Sequence, residues 1–450
     1  MRIVLLRNWL IVVLATAIIS LSLIPVGILT TSLPDGNMPE NRSTFHIEYA
    51  LPPPADIHMP FEQAMARRMS VREFTDEPVT DEELSTILWH AYGYRDDGSR
   101  TIYDIGGVPA VGIYVLKEDA VYRYDALNHT LVLYLDGDYR SIVGWQYEAP
   151  VQLAIVQNED VCDEYLGCVQ IGGVYQNIQF TANALNLGTV VTGEVPSPIE
   201  NIGLPAGEKG RIVMPLGHPR YPYNFVYRPM WLSFLPRPQE SDVSLTDAII
   251  QRSEGSSFTG TVSTQEQSQL LWSAYGFSYY LDRSGQDLNI VKRHRTVPSA
   301  HGYYPLKVYA VTESGTYRYE PNLLININRI PIDFIGIPIL PFLLKITGDD
   351  VRGELSLASQ PPVASAPLSL VIVLDIDMTR PPGRDDFSGM WIRWLWHLEA
   401  GSCIHNVLLQ ATTLGLSANV FPVTDDSMVL SLFGLDDGYD PMYVIPIGER

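Results

Sequence analysis

Apolar residues at helical spacing run from Phe61 to Arg68, and a second helical stretch follows Thr80-Asp81-Glu82-Glu83. That tetrad predicts a capping box: the Thr80 hydroxyl and the Glu83 carboxylate satisfy free N–H groups of the first turn. The helix it opens runs to about Tyr92 and stops at Gly93. Strand patterns follow at Val111–Leu116, Ala120–Asp125 and Thr130–Leu135. Gly137-Asp138-Tyr139-Arg140 turns into a helix, and Val151–Gln157 is a continuous apolar run expected as a buried strand. A long helix from Gly172 to Leu187, ending at Gly188, and strands at Thr189–Val195 and Arg211–Leu216 complete the pattern.

The same order then recurs. Val262-Ser263-Thr264-Gln265-Glu266 and Leu271-Trp272-Ser273-Ala274-Tyr275-Gly276 repeat the capped helix that contains Leu88-Trp89-His90-Ala91-Tyr92-Gly93. Tyr317-Arg318-Tyr319-Glu320 repeats Tyr122-Arg123-Tyr124-Asp125, and a helix Gly401–Leu414 repeats the one before Gly188. Ile445-Pro446-Ile447-Gly448 repeats Met214-Pro215-Leu216-Gly217. The copies differ in complementary places. Arg67-Arg68-Met69-Ser70-Val71-Arg72 answers to the less charged Gln251-Arg252-Ser253-Glu254-Gly255-Ser256. Conversely, Arg295-Thr296-Val297-Pro298-Ser299-Ala300 stands where the first copy has the bland Tyr103–Ala110. One intact site drawn half from each copy is the expectation. Irregular alternation of helices with hairpins makes the fold class α+β, as two layered lobes at 58–235 and 240–450.

A formal charge of −21 argues against nucleic acid or an acidic membrane surface as partner. Trp9–Leu29 carries no charge, follows Arg2 and Arg7, and is long enough to span a bilayer. Residues 1–30 are therefore expected as an uncleaved signal anchor, with a cleaved signal as the alternative, and the bulk of the chain extracytoplasmic. Residues 31–57, rich in Pro, Asn and Ser, are expected as a stalk. Cys162 and Cys168 could close a short loop in an oxidising compartment or remain thiols. Ile330–Ile346, broken by prolines, is expected as a buried connection or interface strand, with a hydrophobic lid or membrane contact as the alternative. His397, Glu399, Cys403 and His405 fit no usual zinc spacing, and no side-chain acid or base stands out.

The run Arg67–Gly93 resembles the opening of the FMN-dependent nitroreductase superfamily. Pro298-Ser299-Ala300-His301-Gly302-Tyr303-Tyr304-Pro305-Leu306 is similar to its SagB-type branch, whose best-known members oxidise azolines in peptides. Gln176-Asn177, Ala184–Thr189 and Met214–Pro219 also resemble the superfamily, so the likeness covers about residues 60 to 450. It implies two tandem nitroreductase-like α/β sandwich lobes forming an intrachain pseudo-dimer, with FMN between them. Arg67, Arg68, Ser70 and Arg72 would grip the phosphate by charge-assisted bonds. In an extended chain Arg68, Ser70 and Arg72 point to one side. Pro298, Ser299 and Ala300 would border the flavin ring, and Gly193 and Glu194 would lie near its reactive nitrogen. Arg220 or Arg228 would add phosphate charge. The mirror site, Arg252, Ser253 and Ser256 with Gly107, Pro109 and Ala110, would be too weak, leaving one FMN per chain or none. The implied activity is hydride transfer through flavin to a small molecule or a peptide, with the electron donor unspecified. The alternative is a flavin-less binding or scaffold protein in an inherited cleft.

Overall fold

Each half of the chain folds one antiparallel sheet against helices, and the two halves lock together through their longest helices. The computed structural model describes residues 48–103, 105–227, 234–283, 294–322, 340–379 and 392–449. The first sheet contains β1 (Glu48–Ala50), β2 (Val111–Leu116), β3 (Ala120–Asp125), β4 (Thr130–Asp136), β5 (Val151–Asn158), β6 (Gly188–Thr189) and β7 (Glu208–Gly217), in the order β1-β4-β3-β2-β5-β7-β6. A two-stranded ribbon, β8 (Phe225–Tyr227) with β9 (Tyr280–Asp282), joins the halves. The second sheet uses β10 (Leu306–Thr312), β11 (Gly315–Glu320), β12 (Phe342–Thr347), β13 (Leu368–Asp375), β14 (Leu416–Ala418), β15 (Phe421–Pro422) and β16 (Tyr439–Glu449). Its order is β12-β11-β10-β13-β16-β14, with β15 also on β16. Strands β5 and β13 are central and buried along almost their whole length, which explains their unbroken apolar runs.

The helices that position the site are α1 (Phe61–Arg67), α2 (Asp81–Tyr92), α3 (Glu164–Ala184), α4 (Leu245–Gln251), α5 (Thr264–Tyr275) and α6 (Arg393–Thr413); three shorter ones, Arg140–Val143, Arg352–Leu357 and Asp426–Phe433, flank the sheets. The capping box before α2 forms as expected: Glu83 N–H donates to Thr80 Oγ1 at 3.2 Å, and Thr80 N–H donates to Glu83 Oε2 at 2.9 Å. Ser263 and Glu266 do the same for α5. The long helices depart from expectation. Both start earlier than Gly172 and Gly401, and both span 21 residues. Asp163 opens α3 by accepting from Tyr165 N–H and Leu166 N–H. Asn186, in the left-handed region at φ 61°, ends it before Gly188, which enters β6.

The glycines that read as helix boundaries are instead contact points. A Cβ on Gly172 would meet Leu398 O at 2.4 Å, and one on Gly401 would meet Val169 O at 2.2 Å. The two contacts are reciprocal, so α3 and α6 cross at a pseudo-two-fold axis. The shorter helices exchange partners about the same axis: Phe61 N–H donates to Val243 O at 3.0 Å, and Leu245 N–H donates to Met59 O at 2.9 Å. Phe61, Met65 and Phe180 share a hydrophobic cluster with Leu245, Trp272 and Leu409. Both lobes fall within one compact unit, His46–Arg450.

Several expectations change. The end of the expected stalk is pinned to the first lobe: β1 pairs with β4, and Leu51 and Ile57 are buried. Thr189–Val195 is strand only at its start, with one further bridge between Thr192 and Val213. Phe342–Thr347 forms an edge strand on β11, whereas 330–339 lies outside the described residues. Cys162 and Cys168 do not form a disulfide; Cys168 lies buried inside α3 with its S–H toward Gln157 Oε1 at 3.7 Å. Among the described residues no helix is long and apolar enough to cross a membrane; the expected span Trp9–Leu29 lies outside them.

Candidate functional site

After α1 the chain continues extended, and alternation divides its side chains. Met69, Val71 and Phe74 pack together inward. Val71 N–H donates to Thr189 O at 2.9 Å, which fixes the strand-like path. Arg68, Ser70 and Arg72 face the other way and line a cavity of about 520 Å³ between the lobes. Arg68 is only 2% exposed. Its Nε donates to Arg295 O at 3.0 Å and its Nη1 to Gln179 Oε1 at 3.2 Å. Among the described residues it has no carboxylate partner, and its Nη2 has no hydrogen-bond partner. Burial is the main influence lowering its pKa, and the charge of Arg72 acts in the same direction. An anion in the cavity would therefore relieve a buried cation held in place by the opposite lobe.

The facing wall is Pro298, Ser299 and Ala300. The turn behind them is held by Ser299 Oγ, which accepts from Tyr304 N–H at 2.8 Å. Ser299 also donates to Glu399 Oε2 at 2.6 Å. The Tyr275 hydroxyl donates to Glu399 Oε1 and accepts from Leu306 N–H at 3.3 Å. Glu399 itself lines the cavity beside Leu395 and Leu398, and burial raises its pKa to about 7. Nearby, Arg295 donates to Tyr275 O at 3.0 Å, with its guanidinium over the Phe277 and Tyr304 rings at 4.3 and 4.5 Å. Gly193 lines the cavity next to Thr192, and its N–H has no partner among the described residues.

Seven of the nine expected residues thus meet: Arg68, Ser70, Arg72, Gly193, Pro298, Ser299 and Ala300. Arg67 and Glu194 do not line the cavity. Arg67, one residue before the extended path, places its guanidinium against Phe225 and Tyr280 at 5.6 and 5.1 Å from their rings. Glu194 is exposed. Arg220 lines an adjoining cavity and pairs loosely with Glu73 at 3.9 Å, while Arg228 lies outside the described residues. The sequence does not mark Glu399 as a site residue, because its spacing to His397, Cys403 and His405 speaks only to metal binding. The available signal was a carboxylate on the apolar helix α6 where the repeat has Gln170 on α3. His397 and His405 bond Tyr443 and Asn177, both at 2.8 Å, and burial lowers each pKa to about 3.

The second copy shows the same frame closed. Thr101 N–H donates to Gly93 O and Thr296 N–H to Gly276 O, both at 3.1 Å. The counterpart of Arg295-Thr296-Val297 is therefore Arg100-Thr101-Ile102, not Tyr103–Ala110. Arg252 answers to Arg68: its Nη2 donates to Arg100 O at 3.0 Å and Ile102 O at 2.8 Å. Glu254, in the place of Ser70, forms an ion pair with Arg252 and supplies the anion from the protein itself. Pro422, in the place of Gly193, has no N–H to offer.

Comparison with known proteins agrees with the two-lobed fold. A sequence model of the Nitroreductase family matches residues 65–218 and 259–449, one segment in each lobe. A Methanocaldococcus jannaschii protein assigned to the nitroreductases is 32% identical over 168 residues, 33% of this chain and 84% of that protein. A crystal structure of an Anabaena variabilis protein assigned to the same group superposes with a TM-score of 0.60 at 14% identity. That match covers 82% of this chain and 88% of the other, so the shared fold extends over both lobes.

Proposed function

Because this chain belongs to the nitroreductase family, we propose that it is an FMN-dependent oxidoreductase with a single flavin site in the inter-lobe cavity. The observation that carries this reading is the meeting of Arg68, Ser70 and Arg72 from one lobe with Pro298, Ser299 and Ala300 from the other around one cavity. The volume of about 520 Å³ falls within the roughly 300–1,000 Å³ usual for cofactor and ligand pockets. The donors fit an FMN phosphate: a buried guanidinium lacking a carboxylate partner, a hydroxyl at Ser70 and an exposed guanidinium at Arg72. FMN, when bound, supplies the acceptance and delivery of hydride.

The chain's own residues bind, orient and exclude. Arg68 is positioned by Arg295 O and Gln179, so its free Nη2 is preorganised before an anion arrives. Gly193 offers an unused N–H from the cavity wall, and small residues at Ser299 and Ala300 allow close approach of a flat ring. Tyr175, Leu395 and Leu398 supply the apolar side.

The finer reading is a SagB-type oxidoreductase, anchored through residues 9–29 with its lobes outside the cytoplasm. It rests on the run Pro298–Leu306 and on the uncharged N-terminal stretch. In that setting a quinone or another membrane carrier is a better electron partner than a soluble nicotinamide. The test is the visible spectrum of the full chain purified in detergent and titrated with FMN. Saturation near one flavin per chain is expected; a chain that stays colourless after titration refutes the reading.

A further inference from the structure

Glu399 and Gln170 occupy the same position on the crossing helices α6 and α3, and the difference between them is chemical. Gln170 accepts from Ala110 N–H at 3.1 Å and donates to Val108 O at 2.8 Å, pinning the loop that precedes β2. Glu399 pins the loop that precedes β10, through Ser299 and Tyr275. An amide therefore suffices for the structural task. In the lobe whose loop faces the open cavity, the position holds an ionisable acid instead. Each of its oxygens accepts from one hydroxyl, and one of those hydroxyls, on Ser299, lines the cavity.

We propose that Glu399 stores the proton that accompanies hydride transfer and passes it to substrate through the Ser299 hydroxyl. The proposal rests on the flavin reading above. For a quinone acceptor the balance is as follows. FMN, when bound, would supply the hydride to the quinone; with Glu399 protonated and donating to Ser299 Oγ, Ser299 would turn its own proton to the quinone oxygen. Glu399 reprotonates Ser299, leaving hydroquinone and a Glu399 carboxylate that regains its proton from water in the cavity. In the opposite direction, oxidation of a substrate C–H and N–H pair, the carboxylate receives the proton.

The surroundings suit such a group. Among the described residues the hydrogen bonds from Ser299 and Tyr275 favour the Glu399 carboxylate, and Arg295 is the one cation that acts the same way. Burial opposes them more strongly, so the acid titrates near neutral pH. Among the described residues the other titratable groups facing it are the phenols Tyr275, Tyr304 and Tyr175 and the thiol Cys403, and burial raises the pKa of each. They remain neutral through the range in which Glu399 changes charge.

The test compares wild type, E399Q and S299A as full chains. In the FMN-loaded proteins, oxidation by p-benzoquinone is followed from pH 5 to 9. Wild type should slow as pH rises through about 7, and E399Q should be slower by about 10²-fold or more and flat across that range. S299A should also be slow, because the hand-off is lost. Without FMN, the pH dependence of the melting temperature gives a second readout: measured against E399Q, which keeps the buried histidines, both wild type and S299A should lose stability between pH 5 and 8. Loss of FMN affinity matching the loss of rate in E399Q would make the residue merely structural and overturn the proposal. An unchanged pH profile in an FMN-loaded E399Q would also overturn it while leaving the flavin site standing. Failure of wild type to bind FMN would remove the flavin reading and the proton role with it.

Discussion

Arg68 and Arg252 follow equivalent helices, and each reaches into the opposite lobe for a backbone carbonyl, Arg295 O in one case and Arg100 O in the other. Up to that bond the two regions are alike. Beyond it, Ser70 leaves the Arg68 side open, whereas Glu254 closes the Arg252 side with a carboxylate. Gly193 keeps an N–H where Pro422 has none, and Glu399 keeps an acid where Gln170 is an amide. The comparison separates two kinds of arginine function. The carbonyl bond holds the lobes together and is needed at both ends of the axis. Anion capture needs an unsatisfied donor, and a single acidic residue two positions further on removes it.

The sharpest way to break this comparison is to neutralise each arginine. Arg68→Gln should weaken FMN binding about 10²- to 10³-fold, the loss of one or two charge-assisted bonds of roughly 1.5–3 kcal/mol each. Arg252→Gln should leave the FMN Kd within a few-fold. It should instead cost stability on the order of 1–3 kcal/mol by stranding carbonyls of Arg100 and Ile102. Fluorescence titration with FMN and thermal melting separate the two effects. Equal losses of FMN affinity would mean that both regions bind it, or that neither does.

The next effect concerns Glu399 against Gln170 and is read from stability alone. The Glu399 pKa, about 7 in the folded chain, lies above its ordinary 4.5. Its contribution is thus fully present below pH 4.5 and is lost as pH rises to about 7, for a total of about 3 kcal/mol. The buried histidines act oppositely. His90, His397 and His405 are lowered to about 4, 3 and 3, so they favour the fold above pH 6.5 and less below it. Because E399Q keeps the histidines, the stability difference between wild type and variant isolates the acid. Denaturant unfolding at pH 5 and pH 8 should show that difference shrinking, or reversing, against wild type at the higher pH. A difference independent of pH would place the Glu399 pKa near its ordinary value.

Much of this was legible in the sequence, and what escaped has physical causes. Local signals held: the Thr80–Glu83 box, the hairpin strands and the alternation that turns Arg68, Ser70 and Arg72 to one side all form. Three features depended on contacts distant in the chain and could not be seen locally. Gly172 and Gly401 looked like helix ends because nothing nearby reveals that another backbone passes within van der Waals contact. Arg67 was grouped with its neighbours because a cluster of arginines does not disclose where the helix hands over to extended chain. Glu399 gave no sign of its role because its hydroxyl partners come from residues 275 and 299, distant in the chain.

The glycine crossing offers a control that should show no asymmetry. Gly172→Ala and Gly401→Ala each push a methyl group into backbone of the other helix, at 2.4 and 2.2 Å. Both should destabilise by about 2–3 kcal/mol, the usual cost of overpacking a tight contact. Similar unfolding midpoints are expected for the two variants. A large difference would show that the axis itself is no longer symmetric.

The smallest effect sharpens the comparison at its outer edge. Arg72 is exposed at the cavity mouth, and among the described residues its only hydrogen bond is a long one, from Nη1 to Ser70 O at 3.4 Å. A contact to phosphate from such a position is screened by water and salt, so Arg72→Ala should raise the FMN Kd only about tenfold. The effect should diminish in high salt, whereas that of Arg68→Gln should largely persist because Arg68 is buried. The reciprocal change, Ser256→Arg, adds a cation at the matching place in the other copy. It should confer no second flavin, because Glu254 still neutralises Arg252 and Pro422 still lacks an N–H. Titration stoichiometry decides the matter: one FMN in both wild type and Ser256→Arg is expected, and a second equivalent in the variant would show that charge alone, not the open donor set, distinguishes the two regions.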